Sequence, residues 1–250
     1  MLKLIRTAAL AATLSLAPGA TFGLTSQPSA EPAAVPAAAV AVAPAPAPSF
    51  EQTIGLDAHE HDHGSGLAPG QDADAFRGWL DASAANRAEL AAFRDRLAAE
   101  HVEDVVPIWQ LVRTSSSWRQ CGAEPFEVPP LDKWDRIITT LRFVRDEVVP
   151  SIGRVEVLSA YRNEKLNACS DGAPKSAHRE FFALDLTPVN KALARTDMIR
   201  SVCVAHARDG QAYDSGLGFY TGRRFHVDSS GFRKWGPNGK GGTSPCTAYA

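Results

Sequence analysis

Between Pro28 and Ser49 the chain reads PSAEPAAVPAAAVAVAPAPAPS, a stretch of proline and alanine with no glycine and a single charge at Glu31. These residues offer little side chain to bury against the conformational entropy of folding, and proline also removes a backbone donor. The tract favours extended polyproline II and acts as a spacer of up to roughly 70 Å at ~3.1 Å per residue. Nothing in it can do chemistry. The chain has 250 residues, so the part left to build a core is the size of one ordinary domain.

The segment before the spacer reads as an address. Lys3 and Arg6 precede an apolar run from Thr7 to Ala17, followed by small residues and Pro18. The run is well short of the ~20 residues that cross a bilayer, and the layout is that of a secretory signal. Residues 1–23 are expected to be a signal peptide, residues 24–67 a Pro/Ala-rich and His-rich linker, and residues 68–250 the folded domain. The expected location is exported, periplasmic or extracellular, with no transmembrane anchor in the mature form and no cysteine near the cleavage zone for a lipid.

Four cysteines, Cys121, Cys169, Cys203 and Cys246, contain no CxxC pair. In an exported chain an even number of this kind favours disulfides over a metal knuckle. Of three connectivities, Cys121 with Cys169 and Cys203 with Cys246 is preferred, because the second bridge would pin a Gly/Ser/Pro-rich tail. Lys plus Arg number 26 against 28 Asp plus Glu. That balance gives no global field for nucleic acid or an anionic membrane.

His59-Glu60-His61-Asp62-His63 satisfies H-E-x-x-H, the pattern in which two histidines one helical turn apart hold zinc. It lies between Gly55 and Gly64-Ser65-Gly66 beside the spacer, with no apolar face to anchor a helix. It is read as a solvated His-rich tract that captures metal weakly.

Farther on, Asp72 or Asp74 can cap a helix carrying Phe76, Trp79, Leu80, Ala84, Leu90, Phe93 and Leu97. Val105–Val112 reads as a strand, and Asp132 as the cap of a second amphipathic helix stopped by Pro150. Strands are expected at Gly153–Tyr161, Phe181–Leu186, Gly216–Tyr220 and Arg224–Asp228, with a helix over Asp197–Ala207. Helices come first and strands cluster late, an α+β pattern of helices packed on a small, mainly antiparallel sheet.

Chemistry concentrates in three segments. In the strand FFALDL, Asp185 sits among apolar neighbours, and a buried carboxylate needs a metal or an arginine. In Arg224-Phe225-His226-Val227-Asp228, the two-residue period puts His226 and Asp228 on one face. His178 precedes the FFALDL strand, and Ser159-Ala160-Tyr161-Arg162 brings a guanidinium toward the same region. His178, Asp185 and His226 together offer three N/O ligands with an open fourth position, the pattern of a catalytic zinc site.

The run SAYRNEKLNACSDGAPKSAHREFFALDLTP, followed about thirty residues later by GLGFYTGRRFHVDSSGFRKWG, resembles the zinc D-Ala-D-Ala carboxypeptidase family of bacterial cell-wall metallopeptidases, related to murein endopeptidases and hedgehog domains. The ordered pattern S-x-Y-R, then S-x-H-x-x-G-x-A-x-D, then H-x-D with a downstream tryptophan covers roughly residues 155–236. The resemblance implies a hedgehog-like fold carrying a zinc cleft, with Zn²⁺ held by His178, Asp185 and His226. It also implies Arg162, Ser176 and Tyr161 near the bound peptide and Trp235 in the wall of the site.

Two departures stand out. Phe181 occupies the family's glycine, which implies an altered backbone approach or a narrower cleft. Arg223 stands where many members carry an acid, which leaves Asp228 as general base or as a support for His226, with Glu180 and Asp214 behind it. The activity implied is metal-dependent hydrolysis of peptide bonds in peptidoglycan stem peptides, as a D,D-carboxypeptidase or murein endopeptidase acting as a monomer, with Arg162 pairing a carboxylate or an oxyanion. The alternative is an inactive zinc-fold module that binds a wall fragment or a partner protein.

Overall fold

The structure is a computed structural model and describes residues 66–249. The signal, the spacer and the His59–His63 tract lie outside these residues. Two disulfides, Cys121–Cys169 and Cys203–Cys246, tie the fold together in the preferred connectivity.

Helices α1 (Ala73–Asp81) and α2 (Ala84–Ala98) replace the single helix expected there. Asp72 caps the first by accepting from the Ala75 amide at 2.8 Å. Ser83 then turns extended (φ −148°) and accepts from the Asn86 amide. An N-cap serine satisfies a free amide better than it continues a helix, so the chain restarts.

The run expected as a strand at Val105–Val112 instead contains a one-turn helix, α3 (Ile108–Leu111), entered from Pro107 and buried on every side. A short continuous apolar run carries no periodicity that separates a buried strand from a buried turn. Gln110 uses the position to accept from the Val157 amide at 3.0 Å.

From Leu131 to Ile152 the backbone stays helical, passing from a 3₁₀ stretch (Leu131–Ile137) to α4 (Ile138–Phe143), a π turn (Val144–Val148) and α5 (Val149–Ile152). Asp132 makes no cap, and Pro150 does not end the run. The wide turn just before Pro150 relieves the clash between its ring and the preceding turn. Termination comes at Gly153, whose φ of 80° favours glycine.

The sheet has five strands in the order β1 (Val155–Ser159), β2 (Ala183–Pro188), β4 (Phe225–Asp228), β3 (Gly216–Phe219) and β5 (Arg233–Trp235). Its first three pairings are antiparallel and β3–β5 is parallel. The short β5 has no apolar alternation to mark it in the sequence. The same holds for α6 (Glu164–Cys169), although Asn163, which caps it, is a legible start signal. Helix α7 (Arg195–Asp209) falls where expected. One apolar face of the sheet, with Leu184, Leu186, Phe225 and Val227, joins the helices in a single core. The other face carries the polar residues.

Candidate metal centre

Asp185 and His226 are direct cross-strand partners on β2 and β4. Residues opposed in this way share a face with their β-carbons about 5 Å apart. His178 joins them from the loop before β2, anchored where the Arg162 amide donates to its carbonyl at 3.2 Å.

The inward atoms form a nearly equilateral triangle. His178 Nε2 lies 3.2 Å from His226 Nδ1 and 3.3 Å from Asp185 Oδ1, and His226 Nδ1 lies 3.1 Å from the same oxygen. A tetrahedral zinc with bonds of ~2.0–2.1 Å spaces its ligands by about 3.3 Å, so the triangle is one face of such a polyhedron.

The outer ring nitrogens are committed elsewhere. His178 Nδ1 is 2.6 Å from the Ala160 carbonyl oxygen, which can only accept, so that nitrogen carries the proton and Nε2 presents a lone pair inward. His226 Nε2 donates to Asp228 Oδ2 at 2.8 Å, which turns Nδ1 inward. All three side chains are buried. A buried ring of acceptors needs positive charge at its centre, and these residues fit a metal ion.

Charge in the site follows the same logic. Burial, and then the nearby Arg162, push His178 down to about 4, so it is neutral near pH 7. Burial opposes the charge on Asp185, yet the Arg224 guanidinium and the hydrogen bonds around the carboxylate hold it well below the usual carboxylate range. For His226 burial is outweighed by Asp185 and Asp228, which raise it. Two carboxylates thus attract a cation, and protons compete with metal for the position.

Two residues complete the centre without having been assigned a role from sequence. Arg224 Nη2 donates to Asp185 Oδ2 at 2.6 Å, and the Tyr220 hydroxyl donates to Oδ1 at 2.9 Å. The period-2 pattern places Arg224 on the same face as His226, and that was the available signal.

A cleft of about 510 Å³ opens over the triangle, and Arg162, Ser176, His178, Tyr220, His226 and Trp235 line it. The Arg162 guanidinium makes no hydrogen bond or ion pair among the described residues, and its Nε is buried without a partner. Burial accordingly lowers its pKa. Ser176 Oγ accepts from the His178 amide at 3.3 Å. The Trp235 ring centroid lies 5.4 Å from that of His226.

Other expected residues sit elsewhere. Tyr161, expected beside the peptide, lies past the end of β1 and is buried, with its ring 6.3 Å from that of Phe181. Phe181 is not among the residues that line the cleft. It adopts the left-handed conformation open to glycine (φ 58°) and points its ring into the core against Phe93. Arg223 donates to the Asn190 and Lys191 carbonyls, and Glu180 pairs with Arg136 and Lys133. Asp214 ends the 3₁₀ turn Gly210–Tyr213. The oxygens of Asp228 receive five donors: His226 Nε2, the Ser230 amide and hydroxyl, and both Nη atoms of Arg233.

No protein-family model matches the chain, and no curated protein or solved structure is significantly similar to it.

Proposed function

We propose that the protein is an exported, monomeric zinc peptidase that hydrolyses peptide bonds in peptidoglycan stem peptides, on a hedgehog-like scaffold. The observation that carries the metal reading is the triangle of His178, Asp185 and His226, with both imidazole tautomers set by acceptors behind them. The ordered motifs around these residues, similar to those of cell-wall carboxypeptidases, supply the substrate class. Bound zinc supplies a water acidic enough to attack at neutral pH and a Lewis acid for the scissile carbonyl.

The chain's own residues do the rest. Arg162 holds an unspent cation at the cleft, suited to a peptide carboxylate or to the oxyanion that forms on attack. Ser176 holds the loop that carries His178. Asp228, saturated with donors, orients His226 and does not take up the substrate proton. Asp171 is an exposed carboxylate among the residues that line the cleft.

The saturation of Asp228 also favours a second reading, a module that binds a wall fragment without cutting it. Incubation of the zinc-loaded protein with defined cross-linked and uncross-linked muropeptides, read by mass spectrometry, separates the two. Cleaved products that vanish on chelation and in His178→Ala support the peptidase. Binding without products supports the module, and activity that survives both treatments defeats the metal reading.

A further inference from the structure

Two rows of paired residues cross the sheet at the metal centre. One runs Asp185, His226, Gly218, Trp235, and the next runs Ala183, Asp228, Gly216, Arg233. Strand β3 separates β4, which carries His226 and Asp228, from β5, which carries Trp235 and Arg233. Adjacent strands are ~4.8 Å apart, so a β5 side chain must span about 10 Å to touch one on β4.

Both β5 side chains make that reach. Arg233 brings Nη2 to 2.7 Å from Asp228 Oδ2 and Nη1 to 2.9 Å from Oδ1, and the Trp235 indole packs beside the His226 imidazole. Each path runs over a glycine. A β-carbon at Gly216 would overlap the Asp228 carboxylate and the Arg233 guanidinium, and one at Gly218 would overlap the Trp235 indole. Neither glycine has a left-handed φ, so the backbone does not require glycine there. What requires it is the space above the strand.

We propose that Gly216 and Gly218 are positioning residues of the metal centre. The bare face of β3 lets Arg233 and Trp235 cross a whole strand and hold the Asp228–His226 pair in its metal-facing orientation. A side chain at Gly216 or Gly218 would displace Arg233 or Trp235 from this face, taking the indole from beside His226 or leaving Asp228 backed by Ser230 alone. The proposal rests on reading His226 as a metal ligand.

The test measures zinc affinity of the purified full chain by competition with a chromophoric chelator, with far-UV circular dichroism as the check on folding. Variants are Gly218→Ala, Trp235→Ala and the double variant. Gly78→Ala, whose β-carbon meets nothing, is the control. Loss of an outer partner of a metal ligand weakens binding about 10–100-fold. Gly218→Ala should fall in that range and Gly78→Ala should not move. The double variant should match Trp235→Ala alone, because removing the indole removes the overlap.

Unchanged affinity in Gly218→Ala, or losses that multiply in the double variant, would overturn the proposal. Should Gly218→Ala fail to fold, the double variant decides, since without the indole nothing prevents it from folding with the affinity of Trp235→Ala. A wild-type chain that binds no zinc refutes the metal reading instead. In that case ¹⁵N resonances of the His226 ring decide the positioning claim: a changed tautomer in Gly218→Ala upholds it, and an unchanged one removes it.

Discussion

Arg224 occupies the one oxygen of Asp185 that faces away from the histidines: Nη2 to Oδ2 is 2.6 Å, while Oδ1 faces His178 and His226. The carboxylate is therefore held as a single-oxygen donor, with its remaining charge compensated from behind. Replacing Arg224 by Met leaves that charge buried with the Tyr220 hydroxyl and His226 beside Oδ1 and no partner for Oδ2. Because Arg224 is itself partly exposed, the expected loss of stability is about 2–3 kcal/mol in the chelated protein. Zinc should restore part of it by mass action. Urea denaturation with and without chelator checks both, and equal losses in the two conditions would argue against any link between Arg224 and the metal.

Phe181 is fully buried at a left-handed φ. Phe181→Ala should cost about 3–5 kcal/mol, as large-to-small core changes do. Phe181→Gly removes the same ring and relieves the backbone, a gain of about 1 kcal/mol over alanine. The usual order of alanine above glycine should therefore invert here, and chemical denaturation of the two variants will show it.

Arg162→Lys exchanges a planar fork for a point charge. On the peptidase reading, KM for an anionic muropeptide should rise about tenfold while zinc content stays at the wild-type level. A loss of zinc would instead make Arg162 part of the metal framework.

His206 is buried, donates Nε2 to the Ser215 carbonyl at 2.7 Å and stacks on Phe232. Burial lowers its pKa despite that hydrogen bond. A histidine depressed in the folded state binds more protons unfolded, so its stabilising contribution is complete above about pH 6.5 and declines as the pH falls below that value. His178 adds a decline of the same sign down to about 4, and the raised His226 opposes it. His206→Gln should flatten the loss of stability of the chelated protein between pH 6.5 and 5, measured by urea midpoints. An unchanged slope would show that His206 does not titrate on unfolding.

Much of the site was legible along the chain. The two-residue period placed Asp185, His226 and Asp228 on strand faces, and the SAYR and SAH segments marked Arg162 and His178. Both disulfides followed from compartment and tail composition, and β1 to β4 and the α7 helix were found within a few residues. What the pattern missed were events decided by competition: the break at Ser83, the helix through Pro150, and the buried turn at Ile108–Leu111. Each set a local preference against a neighbour that propensity does not contain.

By itself the sequence determined residue types and strand parity, because a side chain's face depends only on its count along the strand. The tertiary structure alone decided which oxygen of Asp185 faces the histidines, that Asp228 is spent on Arg233 and Ser230, that Phe181 turns into the core, and that Arg162 has no ion pair among the described residues. It also decided that Arg233 and Trp235 cross the glycine face of β3 to reach Asp228 and His226. These depend on strand order and on distances of about 3–6 Å between side chains that separate strands and helices bring together. Such contacts arise only when the whole sheet has assembled.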